Sequence, residues 1–187
     1  QGSIFPDLRK ESSKKLTDLN FEGYAIGGLA VGEGQELMFE TLDKTTKFML
    51  ENKPRYLMGV GKPDDLVGAI KRGVDMFDCV LPTRSGRTGQ AFTSKGQVNI
   101  KNSRHSLDTR PLDIDCNCDT FRNYSREYLH HLFKAQEILV LMLLSLHNIH
   151  FYLNLMKNIR ESIKNSEFDK FEKTFLENYY SGDIDII

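Results

Sequence analysis

The stretch from Val74 to Arg87 contains a short apolar run with one carboxylate inside it and two arginines just beyond it. The pattern of Phe77 to Leu81 predicts a short buried strand, and Asp78 falls inside it. A carboxylate among apolar residues is costly unless it is paired or used in chemistry. Asp78 is therefore a candidate functional group, with a structural role in capping a turn or bridging to an arginine as the alternative.

Two glycines form a second candidate, because Gly27 and Gly28 follow a predicted strand at Tyr24–Ile26. Glycine at a strand end lets the backbone approach a flat ligand closely, and a tight turn is the alternative. Neither a dinucleotide-binding glycine pattern nor a P-loop lysine follows, so the sequence does not support a nucleotide cofactor.

A third set combines Cys116 and Cys118 with His147, which are the ligand types of a zinc site. Phe121 stands where the pattern C-x-C-x₂-C would place a third cysteine, and Asp115, Asp119 or a water could complete a tetrahedron. The alternative is two buried thiols and a core-facing histidine. The chain has three cysteines in all, an odd number, which favours a reducing compartment with metal chemistry over disulfides.

Basic residues cluster in the middle of the chain, although the net charge of the whole is only −1. Such a belt suits the phosphates of a nucleic acid, whereas a solvated surface is the plain alternative. The belt consists of Arg84, Arg87, Lys95, Lys101, Arg104, Arg122 and Arg126.

The composition, with 40% apolar and 27% charged residues among 187, is that of a globular protein and argues against disordered and fibrous classes. No run of eighteen apolar residues is present, so we expect no membrane span and a soluble protein. The chain starts at Gln1 without a methionine or a leader, which suggests part of a longer protein.

Strands predicted at Tyr24–Ile26, Tyr56–Val60 and Phe77–Leu81 alternate with predicted helices in the first part of the chain. Alternation of this kind indicates a parallel α/β sheet. A (β/α)₈ barrel is the most economical version, but a complete one needs about 250 residues, so only part of a barrel is expected.

The pattern changes after Arg87. A hairpin is predicted around Ser94–Gly96, and the chain is predicted to be helical from Asn123 onward. One predicted buried stripe comprises Tyr128, Leu132, Ile138, Leu139, Met142 and Leu146. We therefore divide the chain into 1–104 (partial barrel with the hairpin), 105–180 (zinc-binding-like helical region and closing helices) and 181–187 (tail).

Three long motifs, in this order along the chain, closely resemble the bacterial tRNA-guanine transglycosylase family: Gly23–Glu33, Arg55–Pro63 and Phe77–Arg87. The resemblance continues through Tyr124–Arg126, His130–Leu132 and His147–Ile149 and covers nearly the whole chain. It implies an α/β fold that is the carboxyl-terminal half of a TIM (β/α)₈ barrel, with an inserted zinc-type subdomain and C-terminal helices.

The family resemblance implies exchange of the wobble guanine in tRNAs with a GUN anticodon for preQ1, in queuosine biosynthesis. Asp78 matches the nucleophile that attacks the ribose and forms a covalent aspartyl-ribose intermediate. A carboxylate nucleophile at a sugar carbon gives a covalent glycosyl intermediate and retained stereochemistry.

The resemblance also implies further site residues. Gln1, Gly28, Leu29, Tyr56 and Met58 match the positions that contact the base; Arg84 and Arg87 match positions beside the tRNA; Cys116, Cys118 and His147 match metal ligands for Zn²⁺. Phe121, at the position of the third cysteine, is a departure from the family pattern.

A second departure is that the first barrel strands are missing. The aspartates that serve as general acid and base and recognise the base are missing with them. We therefore expect a partial enzyme, located in the cytoplasm and paired as a homodimer through its helical region. The alternative is a non-catalytic subunit that binds tRNA or serves in dimerisation.

Overall fold

The computed structural model describes residues 2–182 and, at position 121, the backbone alone. The chain divides into two compact units, residues 1–80 and 81–187. The division into 1–104, 105–180 and 181–187 stays a prediction.

The first unit is built from alternating strands and helices. Its three strands form a parallel sheet in the order β1-β2-β3, which confirms the predicted α/β class. The elements are α1 Pro6–Asp18, β1 Tyr24–Ile26, α2 Gln35–Thr45, a 3₁₀ turn Thr46–Phe48, β2 Arg55–Leu57, α3 Pro63–Lys71 and β3 Met76–Phe77. Helix α3 begins as its sequence predicts, with Pro63 in the first turn beside Asp64 and Asp65.

The two faces of this sheet differ in burial. Ile26 and Leu57 are paired in register and buried on one face. On the other face Ala25 is paired with Tyr56, and Tyr56 with Met76, and these side chains are partly or fully exposed. Successive side chains of a strand alternate between faces, so the open face presents Tyr56 at the centre of the sheet.

Two predicted strands of the first unit extend too far. Strand β2 ends at Leu57 rather than Val60, and β3 ends at Phe77 rather than Leu81, so Asp78 follows the strand and is exposed. The second apolar run misled because Pro82, directly after it, suits the first turn of a helix better than a paired strand. Helix α1 is a surface helix in which Leu8 and Leu16 are exposed and Arg9 is buried.

The second unit combines a hairpin with helices. Strands β4 and β5 pair antiparallel with Ala91 opposite Val98, which confirms the predicted hairpin. The elements are α4 Leu81–Arg87, β4 Gln90–Thr93, β5 Gly96–Asn99, a 3₁₀ turn Ser103–His105, α5 Asp119–Asn123, α6 Arg126–Lys134, α7 Ile138–Lys164 and α8 Phe168–Ser181. A buried apolar cluster joins the hairpin to α6 and α7: Ala91, Val98, Ile100, Leu112, Leu129, Leu132, Val140, Leu143 and Leu144.

The predicted buried stripe of the helical region is wrong except at Leu132. Its other members are between 39% and 72% exposed: Tyr128, Ile138, Leu139, Met142 and Leu146. The first half of α7 is apolar on nearly every side, so periodicity could not select the face that packs.

Helix α7 is long and apolar enough to span a membrane by length and composition, with a mean hydropathy of 1.6 over an 18-residue stretch. Polar residues interrupt this stretch, so the sequence contains no continuous apolar run there. Of the stretch, 39% is buried inside the protein, and a single helix of this kind is weak evidence for a membrane span.

Candidate active site and metal-binding cluster

Two donors hold the carboxylate of Asp78 where strand β3 ends. The Tyr56 hydroxyl donates a hydrogen bond of 2.6 Å to Oδ1, and the Gly59 N–H donates one of 2.9 Å to the same oxygen. Gly59 directs its N–H from a turn after β2 with φ of 75°, a conformation that favours glycine. The end of β2 therefore positions the functional group that follows β3.

These contacts set the ionisation of the site. The hydrogen bond from Tyr56, followed by that from Gly59, lowers the pKa of Asp78 below its ordinary value. The same bond raises the pKa of Tyr56, because a phenol that donates to an anion resists losing its proton. Asp78 is thus a carboxylate anion at neutral pH, as a nucleophile requires.

The loop after β1 is fixed by the buried Arg9. Its Nη2 atom donates to the carbonyl oxygen of Gly27 at 3.0 Å and to that of Gly28 at 3.4 Å. Gly28 has a φ of 69°, and Leu29 beside it is buried. Sequence reasoning missed Arg9, since one arginine in a polar helix gives no sign that its guanidinium is buried.

The structure brings several predicted site residues to one edge of the first unit. Gly28 and Leu29 follow β1, Met58 follows β2 and Asp78 follows β3. The Met58 N–H donates to the Ile26 carbonyl at 3.2 Å, which continues the pairing of β1 with β2 beyond the strands. Because parallel strands all end at the same edge, these groups share the position where α/β proteins carry their binding sites.

Three other predicted site residues are not among the groups described at these strand ends. Gln1 lies outside the described residues. Arg84 and Arg87 lie on helix α4 of the second unit, and both are exposed.

In the second unit, Cys116, Cys118 and His147 form a buried cluster. The Nδ1 atom of His147 lies 3.6 Å from the sulfur of Cys116 and 3.5 Å from that of Cys118, and the three ligand atoms all lie within 4.8 Å of one another. A hydrogen bond to Cys118, with burial, raises the pKa of the Cys116 thiol.

The orientation of His147 fits a metal site. Its Nε2 atom lies 2.8 Å from the Phe92 carbonyl oxygen, which can only accept, so Nε2 carries the proton. The lone pair on Nδ1 then faces the two sulfurs, the usual arrangement of a metal-binding histidine held by a carbonyl. The cluster could therefore hold a metal ion.

Asp113 is close in sequence but is already engaged. Its carboxylate accepts hydrogen bonds from the Ser94 N–H at 2.9 Å, the Ser94 hydroxyl at 2.7 Å and the Asp115 N–H at 3.2 Å. Among the residues with described side chains, the metal-binding group consists of the two cysteines and the histidine.

Arg126, which was expected in the basic belt, is a buried structural residue. Its Nε donates to the Pro111 carbonyl at 2.9 Å and its Nη2 to the Leu112 carbonyl at 2.7 Å. The nearby Asp108 has a lowered pKa, first because Arg110 donates hydrogen bonds to it. The belt is therefore smaller than the count of basic residues suggested.

These features define an α/β protein that presents an ionised carboxylate at its strand ends and a cysteine–histidine cluster elsewhere. The family model described as queuine tRNA-ribosyltransferase matches residues 1–181. The chain therefore belongs to the queuine tRNA-ribosyltransferase family.

Individual relatives agree with the family model. The chain is 59% identical over 184 residues to the queuine tRNA-ribosyltransferase of Jannaschia sp. (strain CCS1) and 60% identical over 184 residues to that of Dinoroseobacter shibae. It is 60% identical over 170 residues to the protein of that name from Rickettsia massiliae. These matches cover 90 to 98% of the chain and 47 to 49% of each relative, so the chain spans about half the length of the curated relatives it matches.

Proposed function

We propose that the chain supplies the nucleophile-bearing part of a tRNA-guanine transglycosylase, a pentosyltransferase. The observation that carries this proposal is the Asp78 carboxylate, held as an anion by Tyr56 and Gly59 at the ends of parallel strands. Membership of the family supports it, and the share of the relatives that is covered makes it a partial enzyme.

In the proposed reaction, an oxygen of Asp78 attacks C1′ of the wobble guanosine. A C1′–O bond forms, the C1′–N9 bond breaks, and guanine leaves with the bonding electrons. Protonation of guanine needs an acid, which we assign to the part of the enzyme that this chain lacks. Attack by N9 of preQ1 on C1′ then breaks the ester bond, releases the proton from N9 and restores the carboxylate.

Asp78 is well prepared for this role. Both described hydrogen bonds fall on Oδ1, and we assign the attack to Oδ2. Donors on the carboxylate keep it ionised and fix its direction, and they also stabilise it as the leaving group in the second step.

For the base, we propose binding by the backbone of Gly28 and Leu29, with Tyr56 and Met58 as walls and Gln1 as a further contact. The Arg9 contacts to the Gly27 and Gly28 carbonyls support a rigid loop at this place. Met58 is 44% exposed, which leaves its side chain accessible to a ligand.

We assign Arg84 and Arg87 to the phosphates of a tRNA with a GUN anticodon, since both are exposed on the helix that follows the active-site loop. The whole enzyme is proposed to be a (β/α)₈ barrel, cytoplasmic and homodimeric. Three successive parallel strands joined by helices support the barrel.

The proposed metal is Zn²⁺, held by Cys116, Cys118 and His147. Bound there, it would link the loop before α5 to helix α7.

The test combines the 187-residue chain with the part of the Jannaschia relative that the chain does not match. The substrate is a tRNA with a GUN anticodon. We expect incorporation of labelled guanine and a tRNA–protein adduct on a denaturing gel. Asp78→Asn should reduce exchange by a factor on the order of 10⁴ and remove the adduct. The matched control is Asp75→Asn, since that carboxylate accepts from the Arg55 N–H at 2.8 Å and has no proposed part in the reaction.

Exchange that survives Asp78→Asn would contradict the nucleophile assignment. Binding of tRNA without any exchange in the combined protein would instead favour a non-catalytic tRNA-binding or dimerisation subunit.

A further inference from the structure

A cavity of about 260 Å³ lies in the second unit and reaches the metal-binding cluster. Cys116 forms part of its wall, together with Asp115 and with aromatic and amide side chains of helices α7 and α8 that include Phe151, Phe175 and Asn154. A residue of the cluster thus lines a space large enough for small molecules.

The cluster itself is one ligand short of a closed site. Structural zinc sites have four protein ligands, whereas sites with three keep a position for water or another small ligand. The described residues supply three, and the Asp113 carboxylate is occupied by Ser94 and Asp115. Position 121, on helix α5, carries phenylalanine, which has no ligand atom.

We propose that this chain binds a divalent metal through Cys116, Cys118 and His147 alone, and that the fourth position holds an exchangeable small ligand that arrives through the cavity. The ligand is water at rest, and a neutral nitrogen donor or a small anion replaces it. The inference rests on the metal site proposed above but not on transglycosylation.

The His147 contact favours such a site without a fourth protein ligand. The Phe92 carbonyl holds the imidazole in place, and the ring is fully buried. Two sulfurs and a fixed nitrogen are therefore already gathered within 4.8 Å, which reduces the reorganisation that metal binding requires.

The test uses Co²⁺, whose visible bands report coordination, in the intact 187-residue chain under reducing conditions. We expect one equivalent of Co²⁺ to give thiolate-to-metal absorption, and imidazole to shift the visible bands in a saturable way. A spectrum that does not respond to imidazole, or a chain that does not bind Co²⁺, overturns the proposal.

Phe121→Cys closes the site in this scheme. It should raise the affinity for Co²⁺ by about tenfold or more and abolish the response to imidazole. Asp115→Asn tests the other candidate ligand and should leave the spectrum unchanged; a changed spectrum would make Asp115 the fourth ligand and overturn the proposal. Circular dichroism confirms that each variant is folded.

The route through the cavity is tested separately. Thr174 lines the cavity, so Thr174→Phe should slow imidazole binding by about tenfold or more while Co²⁺ affinity stays the same. Lys173→Phe, at the exposed neighbouring position, is the control and should have no effect. Unaltered imidazole binding in Thr174→Phe contradicts access through this cavity.

Discussion

The Asp78 carboxylate depends on donors from a neighbouring strand end and turn, not on burial. It is exposed, and its pKa is lowered first by the Tyr56 hydroxyl and then by the Gly59 N–H. A charged nucleophile at a water-accessible site costs little to maintain, and the protein contributes mainly its direction.

Tyr56→Phe should raise the pKa of Asp78 towards its ordinary value, because the largest of its lowering contacts is lost. The ionised form persists above the folded-state pKa, so the acid limb of the exchange reaction should move to higher pH. Carbon-13 NMR titration of the aspartate carboxyl groups measures the shift directly.

Tyr24→Phe is the matched control, since its hydroxyl contacts the Thr17 carbonyl rather than a carboxylate. An Asp78 titration that is identical in wild type and Tyr56→Phe would show that the hydroxyl does not act on this carboxylate.

Single residues also show how far the sequence could be used. Residue type and spacing predicted Asp78, Gly28 and the Cys116 cluster as candidates, because few other side chains serve as carboxylate nucleophiles or zinc ligands. Their roles stay predictions. Arg9 could not be found, since its role depends on which side of α1 is buried, and a polar surface helix gives no sign of that side.

At the level of elements, helices α4 and α7 approach closely at a glycine. A Cβ atom on Gly86 would lie 2.6 Å from the Ser145 hydroxyl oxygen and 2.7 Å from the Ser145 backbone nitrogen. Backbone cannot move aside as a flexible side chain can, so the two helices would have to separate.

Gly86→Ala should therefore lower the free energy of unfolding by about 1 to 3 kcal/mol, despite the better helix propensity of alanine. Denaturant titration measures it. Arg84→Ala, on an exposed position of the same helix, should change stability by no more than about 0.5 kcal/mol. A stabilised Gly86→Ala variant would contradict the close approach of α4 and α7.

Asn148 of α7 forms hydrogen bonds to the backbone of α4 and β4. Its amide nitrogen donates to the carbonyls of Pro82 at 2.8 Å and Gln90 at 3.0 Å, and its oxygen accepts from the Phe92 N–H at 2.9 Å. The side chain is fully buried, so water cannot readily replace it as the hydrogen-bond partner of these backbone groups.

Asn148→Leu should destabilise the protein by about 2 to 3 kcal/mol, because it leaves buried polar groups without these partners. Asn158→Leu makes the same change at an exposed position of α7 and serves as the control. Equal unfolding midpoints for the two variants would show that the buried amide bonds contribute nothing.

Elements with strong local signals were predicted well. The parallel strands, the hairpin and the start of α3 follow from alternation, glycine and proline. Helix α7 was assigned the wrong buried face, because a helix with apolar residues on nearly every side leaves tertiary packing to decide.

At the scale of the whole molecule, the two compact units differ in what they contain. The proposed nucleophile lies in residues 1–80, and all three proposed metal ligands lie in residues 81–187. Each unit is therefore expected to respond to its own ligand.

Zinc should slow amide hydrogen exchange in β4, in the segment around Cys116 and Cys118 and in the middle of α7, and leave β1, β2 and β3 unchanged. The reason is that His147 contacts Phe92 of β4 and its ligand partners lie before α5. Mass spectrometry of exchanged peptides measures this, with Cys118→Ser as the control. Protection of equal size in the three parallel strands would contradict it.

The order of elements around α7 has a consequence for synthesis on the ribosome. Most of its packing partners precede it in the chain, and α8 follows it. Gly86 faces Ser145, the chain from Pro82 to Phe92 receives Asn148, and Leu129 belongs to the same buried cluster as Val140. When this apolar helix leaves the exit tunnel, most of the surfaces that cover it have already emerged. The order of synthesis thus shortens the time for which the most membrane-like segment of the protein is exposed to chaperones and to other nascent chains.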